Sequence, residues 1–560
     1  MYRHQSRDLK DLEMSLSTYE LASDLVQQMR NSYKEAGSKL FLAEKAAKIY
    51  EQAIQSALRI YQLTERATYQ LKAFDFAEKN KAAILAQSLQ DSHAKQFAGI
   101  LPTFLEKEKA LRKELALYET EIQKEKQAEK PRESKIGELD SRYLKRKRDY
   151  DDLIARFEKS YPKYFELKYK TQAVSITELH KAIDQRTAVL EFFVGDSTIF
   201  VFTITKEGFD VVTIPRDSSF TRLVASFAAS FRNISSKKTY LQSASRLYQM
   251  LIQPLESKIS NKQRWVIIPD GELQQVPVEA LLVETVSSKS DVSYQQLPYL
   301  IKQHEISYHY SATLWLQSQQ DRKIGNYRNL FTGFAPVFSA EVNNGNLFWD
   351  DVTTFAVARP DASTYLVSRD GKTLDELKYS ELELEEILRT FVYQGRAYLH
   401  QDASEENFKN NIKGCKFVHV ATHGFINNEN PKLSNLAFSQ PSDRKAGEDG
   451  ILYSAETYNL DLDADLLVLS ACQTGVGKIA KGEGLMALTR GFFYSGARNI
   501  IASLWKVYDQ HTSHLMVEMY RQIAEGKTYS SALREAKLKM IASAETAAPQ
   551  SWAGFVLIGR

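Results

Sequence analysis

The sequence predicts a helical amino-terminal region followed by a larger α/β region, and three observations carry this. From about residue 8 to residue 170 glycine is almost absent, and Ala, Lys, Glu, Leu and Gln dominate, all of which favour helix. From Ala188 the period changes: V-L-E-F-F-V-G-D-S-T-I-F-V-F-T-I-T holds two β-rich runs around a Gly195-Asp196 turn. Beyond it, apolar runs that end in small residues alternate with helical patterns, as in α/β folds.

Length and composition bound the function. At 560 residues the chain is too long for one core. A hydrophobic fraction of 43% and a charged fraction of 26% are those of a globular protein in water. A net charge of +3 gives no general reason to expect nucleic acid as a direct partner. No apolar run reaches the roughly eighteen residues of a membrane helix and the opening is not a signal peptide, so a cytoplasmic location is expected. Two cysteines argue against a disulfide framework. The first residues read as entering a helix already under way, so the native protein is expected to extend beyond these ends.

In the helical region, L-A-E-K-A-A-K-I-Y at 42–50 recurs as F-A-E-K-N-K-A-A-I at 76–84, a period that matches a tetratricopeptide (TPR) helix hairpin, with Ala43 and Ala77 small enough for close packing. After Pro102 two charged helices, about 103–128 and 134–159, should form an antiparallel hairpin. The K-R-K-R run at 145–148 lies on the second; flanking aspartates make it a solvated helix face rather than a nucleic-acid contact.

A third strand, F-D-V-V-T-I, and a helix over about 220–257 are expected next, then W-V-I-I-P-D-G as a buried strand ending in a turn, and I-S-Y-H-Y-S-A-T as a strand running into a helix. Asp270 and Glu272 are expected as turn and cap residues. N-L-F-T-G-F-A-P-V opens the last part as a strand. An exposed or mobile loop over 338–375 should follow, then a helix at 379–390, a short strand at 397–400 and a helix at 404–412 capped by Ser404. A polar loop is expected at 439–450, a helix ending at Gly496, a strand ending near 505–509, helices at about 511–524 and 529–543, and a strand at 555–558.

Chemistry concentrates in two runs. One is Phe417, Val418, His419, Val420, Ala421 and Thr422, followed by His423 and Gly424; the other is D-L-L-V-L-S-A-C-Q-T-G at 465–475. As neighbouring parallel strands they would bring His423 and Cys472 to one sheet edge, where ligand sites of open α/β sheets form. Singly, each residue reads as ordinary core. Paired, they make a nucleophile with its own proton shuttle. His419 would lie roughly 13 Å from His423 along the strand and could not share the site. Cys415 and Cys472 would sit at opposite sheet ends, roughly 20 Å apart, too far to pair. No H-E-x-x-H or C-x-x-C motif supports a metal, and no cofactor is expected. The glycines after Cys472 do not match a phosphate loop, so that stretch is expected as a mobile substrate-facing loop.

V-H-V-A-T-H-G and V-L-S-A-C-Q-T-G resemble the paired motifs of CHAT domains, which are caspase-like, attached to TPR helices and related to separase. W-V-I-I-P-D-G-E-L-Q-Q-V-P-V-E-A-L-L resembles the part of CHAT domains that lacks the catalytic pair. The resemblance implies a TPR-like region at 1–175 with its charged hairpin, a pseudo-protease half at 186–320 packed on the active one, and a catalytic half at 321–560. It implies a cysteine endopeptidase in which Cys472 attacks the scissile carbonyl, His423 protonates the amine, and the backbone N–H groups of Gly424 and Cys472 form the oxyanion hole. Asp509 and Trp505 are the candidates for a pocket taking a basic substrate side chain, with a plain core role open for Trp505, while Asp465 is expected to point away. For Asp509, capping of the following helix at Thr512 stays open as an alternative. A protein substrate, an activating partner on the helices, and a bacterial defence or stress pathway are implied. The alternative is a catalytically silent TPR-CHAT scaffold.

Overall fold

A computed structural model describes residues 8–33, 36–126, 128, 130–169, 173–231, 237–286, 292–320, 327–338, 376–439, 448–471, 479–480, 484–485 and 488–560. The chain is a helical region joined to a mixed α/β sheet. Helix α1 (Leu9–Ser32) starts where the Asp8 carboxylate accepts the Lys10 N–H. It packs on α2 (Ala36–Thr64), which packs on α3 (Thr68–Asn80). Ala43 and Ala77 are fully buried, as close packing requires. The two matching stretches do not occupy equivalent places, however. Residues 42–50 lie inside α2, whereas 76–84 cross the break at Ala82 (φ 46°) that separates α3 from α4 (Ala83–Phe97). The break follows Lys81, whose buried ammonium donates to the Phe192 carbonyl across the junction with the sheet.

The charged hairpin forms as α5 (Pro102–Lys126) and α6 (Glu133–Ser160), and α7 (Pro162–Tyr169) closes it. Two members of the basic run on α6 pair with nearby carboxylates: Arg146 reaches Glu114 at 2.6 Å and Lys147 reaches Asp151 at 2.7 Å. Beneath it lies a network that the sequence did not announce. Lys95, buried on α4, sits 2.7 Å from Asp91 and 2.8 Å from Glu108, and Tyr164 and Tyr150 donate to those two carboxylates. The two carboxylates hold the Lys95 ammonium well above the usual lysine range against the opposing effect of burial.

After α8 (Ile176–Ala182), capped reciprocally by Ser175 and Glu178, come β1 (Thr187–Val194), β2 (Thr198–Ile204) and β3 (Phe209–Pro215), an antiparallel meander. The stretch expected as one helix holds α9 (Ser218–Ser230), α10 (Lys237–Leu251) and α11 (Glu256–Ile259), with Pro254 in a 3-10 turn before the last. Strands β4 (Arg264–Ile268) and β5 (Glu305–Tyr308) follow, then α12 (Ala312–Gln320).

The last part contains β6 (Asn329–Ala335), α13 (Lys378–Thr390), β7 (Gly395–Leu399), α14 (Glu405–Asn411), β8 (Cys415–Thr422), β9 (Gly424–Phe425), β10 (Asn435–Ala437), β11 (Ile451–Tyr453) and α15 (Ser454–Thr457). It ends with β12 (Leu466–Ala471), β13 (Ile479–Ala480), β14 (Gly484–Leu485), α16 (Leu488–Ser495), β15 (Ile500–Ser503), α17 (Asp509–Ala524), α18 (Tyr529–Ala542), α19 (Pro549–Trp552) and β16 (Phe555–Ile558). Ser404 caps α14 as expected, and Gly496 ends α16 at φ +118°.

One eleven-stranded sheet runs through both halves in the order β3-β2-β1-β4-β5-β16-β15-β12-β8-β6-β7. The halves are therefore joined edge to edge by backbone hydrogen bonding, where β16 lies parallel to β5, rather than only packed on one another. β16 is antiparallel to β15, so the parallel block β1, β4, β5, β16 runs opposite to the block β15, β12, β8, β6, β7. The carboxyl ends of the two blocks face opposite edges. The chain segments also share cores: Leu12, Tyr50 and Phe74 of the first helices pack with Val189, Phe202 and Val266 of the sheet, so this core crosses residue 175. Among the described residues no helix is long and apolar enough to cross a membrane.

Candidate functional site

Strand β8 is apolar along most of its length, and β12 is apolar up to Ser470; both are buried, as strands covered on two faces must be. They are parallel neighbours, in a register that pairs Leu466 with Phe417 and Ala471 with Thr422. The residues that come next in the chain are His423 and Cys472. His423 lies at the carboxyl edge, 8% exposed. Cys472 and the glycines up to residue 478 lie outside the described residues, so the pairing fixes the strand end from which Cys472 departs. Farther on, β13 and β14 pair antiparallel and contact the 3-10 turn Gly271–Gln275.

Beyond His423 the chain enters a second, three-stranded sheet, in which β9 pairs with β10 and β10 with β11. The Ala437 N–H donates to the His423 carbonyl at 3.0 Å. Bonded and non-bonded pairs alternate in an antiparallel ladder. The Gly424 pair with Leu436 is therefore non-bonded, and the Gly424 N–H turns away from β10.

The order β7-β6-β8-β12 reverses direction between β6 and β8, the topological switch point where open sheets leave a crevice. The chain leaves β6 there in a strained turn, with Val337 at φ 63° and Phe338 at φ 57°. Phe338 was expected at the start of an exposed loop. It is instead 2% exposed, with its ring 5.2 Å from that of His423. Residues 339–375, the rest of that loop, lie outside the described residues, as do 440–447 of the polar loop.

Asp509 opens α17, and its carboxylate accepts the Tyr379 N–H at 2.8 Å, which caps the start of α13 rather than its own helix. The Thr512 N–H goes to the Tyr508 carbonyl. Leu377, just before α13, donates to the Val337 carbonyl at 2.8 Å, which ties Asp509 to the turn beside His423. Burial pushes the Asp509 carboxyl up from 3.8 to about 6, opposed by the Tyr379 N–H and reinforced by the charges of Glu383 and Glu376. Among the described residues no lysine or arginine pairs with it. A carboxyl raised this way favours folding at low pH, and that advantage is lost as pH rises through about 4 to 6. Asp509→Asn keeps the acceptor for Tyr379 and removes the charge. It should therefore raise stability above pH 7 by on the order of 2 kcal/mol and leave it unchanged below about pH 4, read by urea titration at both pH values.

Trp505 is a buried residue, 5% exposed, stacked on Phe231 at 4.3 Å, with its indole N–H donating to the Gln550 carbonyl. His419 lies fully buried, its Nε2 2.7 Å from Glu383 Oε1 though off hydrogen-bond geometry, among Phe331 and Tyr520. Asp465 precedes β12 at the far end, where Tyr529 donates to it. Cys415 begins β8, and burial raises its thiol pKa. Asp270 accepts the Val194 N–H, and Glu272 binds Arg216 at 2.8 Å. Among the described residues no group of His, Cys, Asp and Glu side chains is placed to hold a metal ion.

Comparison with known proteins agrees with this fold. Tetratricopeptide repeat protein 28 of Mus musculus and of Homo sapiens are each 34% identical over 109 residues, which is 20% of this chain and 4% of theirs. The chain thus matches a small part of those relatives' length. The Saccharomyces cerevisiae separase-securin complex contains a chain that superposes with a TM-score of 0.51 over 98% of this chain and 37% of its own, at 8% identity, a likeness of fold. The CHAT domain matches residues 241–560, a span that contains β4 through β16 and both His423 and Cys472. The fold is caspase-like, and the chain belongs to the CHAT domain family.

Proposed function

We propose that the chain is a cysteine endopeptidase acting through a His423/Cys472 dyad. The observation that carries the reading is the parallel pairing of Thr422 with Ala471, the residues that precede His423 and Cys472 in the sequence, on neighbouring strands about 4.8 Å apart. The Cys472 thiolate adds to the scissile carbonyl, and the oxyanion is met by the N–H groups of Gly424 and Cys472. His423 protonates the departing amine as the C–N bond breaks, then takes a proton from the water that hydrolyses the thioester. The outward turn of the Gly424 N–H supports this assignment.

Asp509, a carboxylate paired with no lysine or arginine among the described residues, supports a basic side chain in the specificity pocket, with Trp505 as a fixed wall. The exposed Met14, Leu21 and Leu25 of α1 support docking of an activating protein partner on the helical region. A bacterial defence or stress setting rests on the family resemblance alone.

The test is hydrolysis of fluorogenic peptides in which the residue before the scissile bond is varied. Cleavage after Arg and Lys that disappears in Cys472→Ala is expected; cleavage that survives in Cys472→Ala contradicts the reading. Phe338→Leu keeps an apolar side chain but removes the ring beside His423. It should lower kcat/KM about tenfold while costing less than about 1.5 kcal/mol of stability, measured by rate assay and urea titration.

A further inference from the structure

In the first half the order is β2-β1-β4-β5, with β2 folded back antiparallel on β1, so the chain leaves β1 to one side and β4 to the other and a crevice opens between them. The two strands are parallel neighbours, and their carboxyl ends open at the sheet edge opposite His423. A cleft of about 510 Å3 lies there, a size suited to a small ligand, walled on the other side by α2 and the end of α3. The side chains set deepest in it are acceptors. Glu51, Asn80 and Asp270 are 6%, 3% and 7% exposed, and the Asn80 side-chain oxygen accepts no hydrogen bond from any described residue. A buried acceptor left without a donor is costly, and a ligand donor would relieve it.

The charge of the lining settles the sign of the ligand. Five carboxylates (Glu44, Glu51, Asp196, Asp270, Glu272) face three lining cations (Lys45, Lys48, Arg216) and the buried Lys81 ammonium, which lies 3.9 Å from Asp270 while donating to the Phe192 carbonyl; Arg216 is engaged by Glu272, so the balance stays acidic by one charge. Glu51 and Asp270 each accept one backbone N–H, from Asp196 and Val194, which fixes both carboxylates in place. Among the described residues no group of three or more His, Cys, Asp or Glu side chains is placed to hold a metal ion, so these acceptors are spaced for something larger.

We propose that this cleft binds a small organic cation of the polyamine or guanidinium class, its N–H donors shared among Glu51, Asp270 and Asn80. Such a ligand would bridge the helical region and the sheet. The assignment is independent of the peptidase reading.

The experiment is calorimetric titration of the full chain with spermidine and with agmatine at 150 mM salt. Saturable one-to-one binding of at least one probe is expected, weakened at least tenfold by Glu51→Gln, abolished by Ala47→Phe, which fills the cleft without touching a charge, and unchanged in Asp509→Asn. Melting curves of the variants verify that each is folded. Equal affinity in wild type and Ala47→Phe, loss in Asp509→Asn, or no saturable binding of either probe would overturn the proposal. So would binding of the peptide acetyl-Gly-Lys-Gly-amide alone, because that assigns the cleft to a protein partner.

Discussion

Glu279→Leu is expected to destabilise the folded chain by about 3–5 kcal/mol, because it leaves a lysine charged and alone in the interior. Lys537 of α18 lies 2.7 Å from Glu279, with the two side chains 2% and 3% exposed. The second Glu279 oxygen accepts the Tyr308 hydroxyl at the end of β5, and that hydroxyl accepts the Val278 N–H at 2.7 Å. The cluster sits where β5 meets β16, so it ties a helix of the second half to a strand and a turn of the first, across the seam of the sheet. Glu279→Leu combined with Lys537→Met removes both charges and should recover most of the loss. A cost below about 1 kcal/mol for the single change in urea titration would contradict the view that the halves fold as one body through this seam.

The second large effect concerns turnover. His423→Ala is expected to lower kcat/KM by about three orders of magnitude, since it removes both the proton donor to the leaving amine and the base for the hydrolytic water. His419→Gln should spare the chemistry, because His419 is sealed in the core beneath α13 and α17 beside Glu383 and Tyr520. The pair is compared on one substrate at several pH values: a retained pH profile in His419→Gln and a lost one in His423→Ala distinguishes a chemical role from a packing one.

The elements nearest the candidate site were the easiest to read in the sequence. β8 and β12 are short apolar runs that stop at small residues, a pattern that fits strands buried on both faces, and the structure pairs them in parallel. What escaped was set by distant parts of the chain. The sheet became continuous through β16, a short strand whose partner β5 lies about 250 residues away, and no local pattern specifies that pairing. Phe338 stands at the head of a stretch without periodicity, so nothing marked it as the ring beside His423. The match between 42–50 and 76–84 falls at unequal places in the helices, because the second stretch crosses the break between α3 and α4 at Ala82, which no residue pattern marks. Asp91 and Lys95 are spaced four apart on one helix, as an ion pair requires, but the arrival of Glu108 from α5 leaves no local mark in the sequence.

The most direct test of the dyad is mass-spectrometric mapping of the thiol alkylated by an arginyl chloromethyl ketone, with Cys415 as an internal reference of known burial. The account predicts modification of Cys472 far ahead of Cys415, dependent on His423 and slowed in Asp509→Asn. Equal, slow modification of both cysteines, unaffected by His423→Ala, would contradict it.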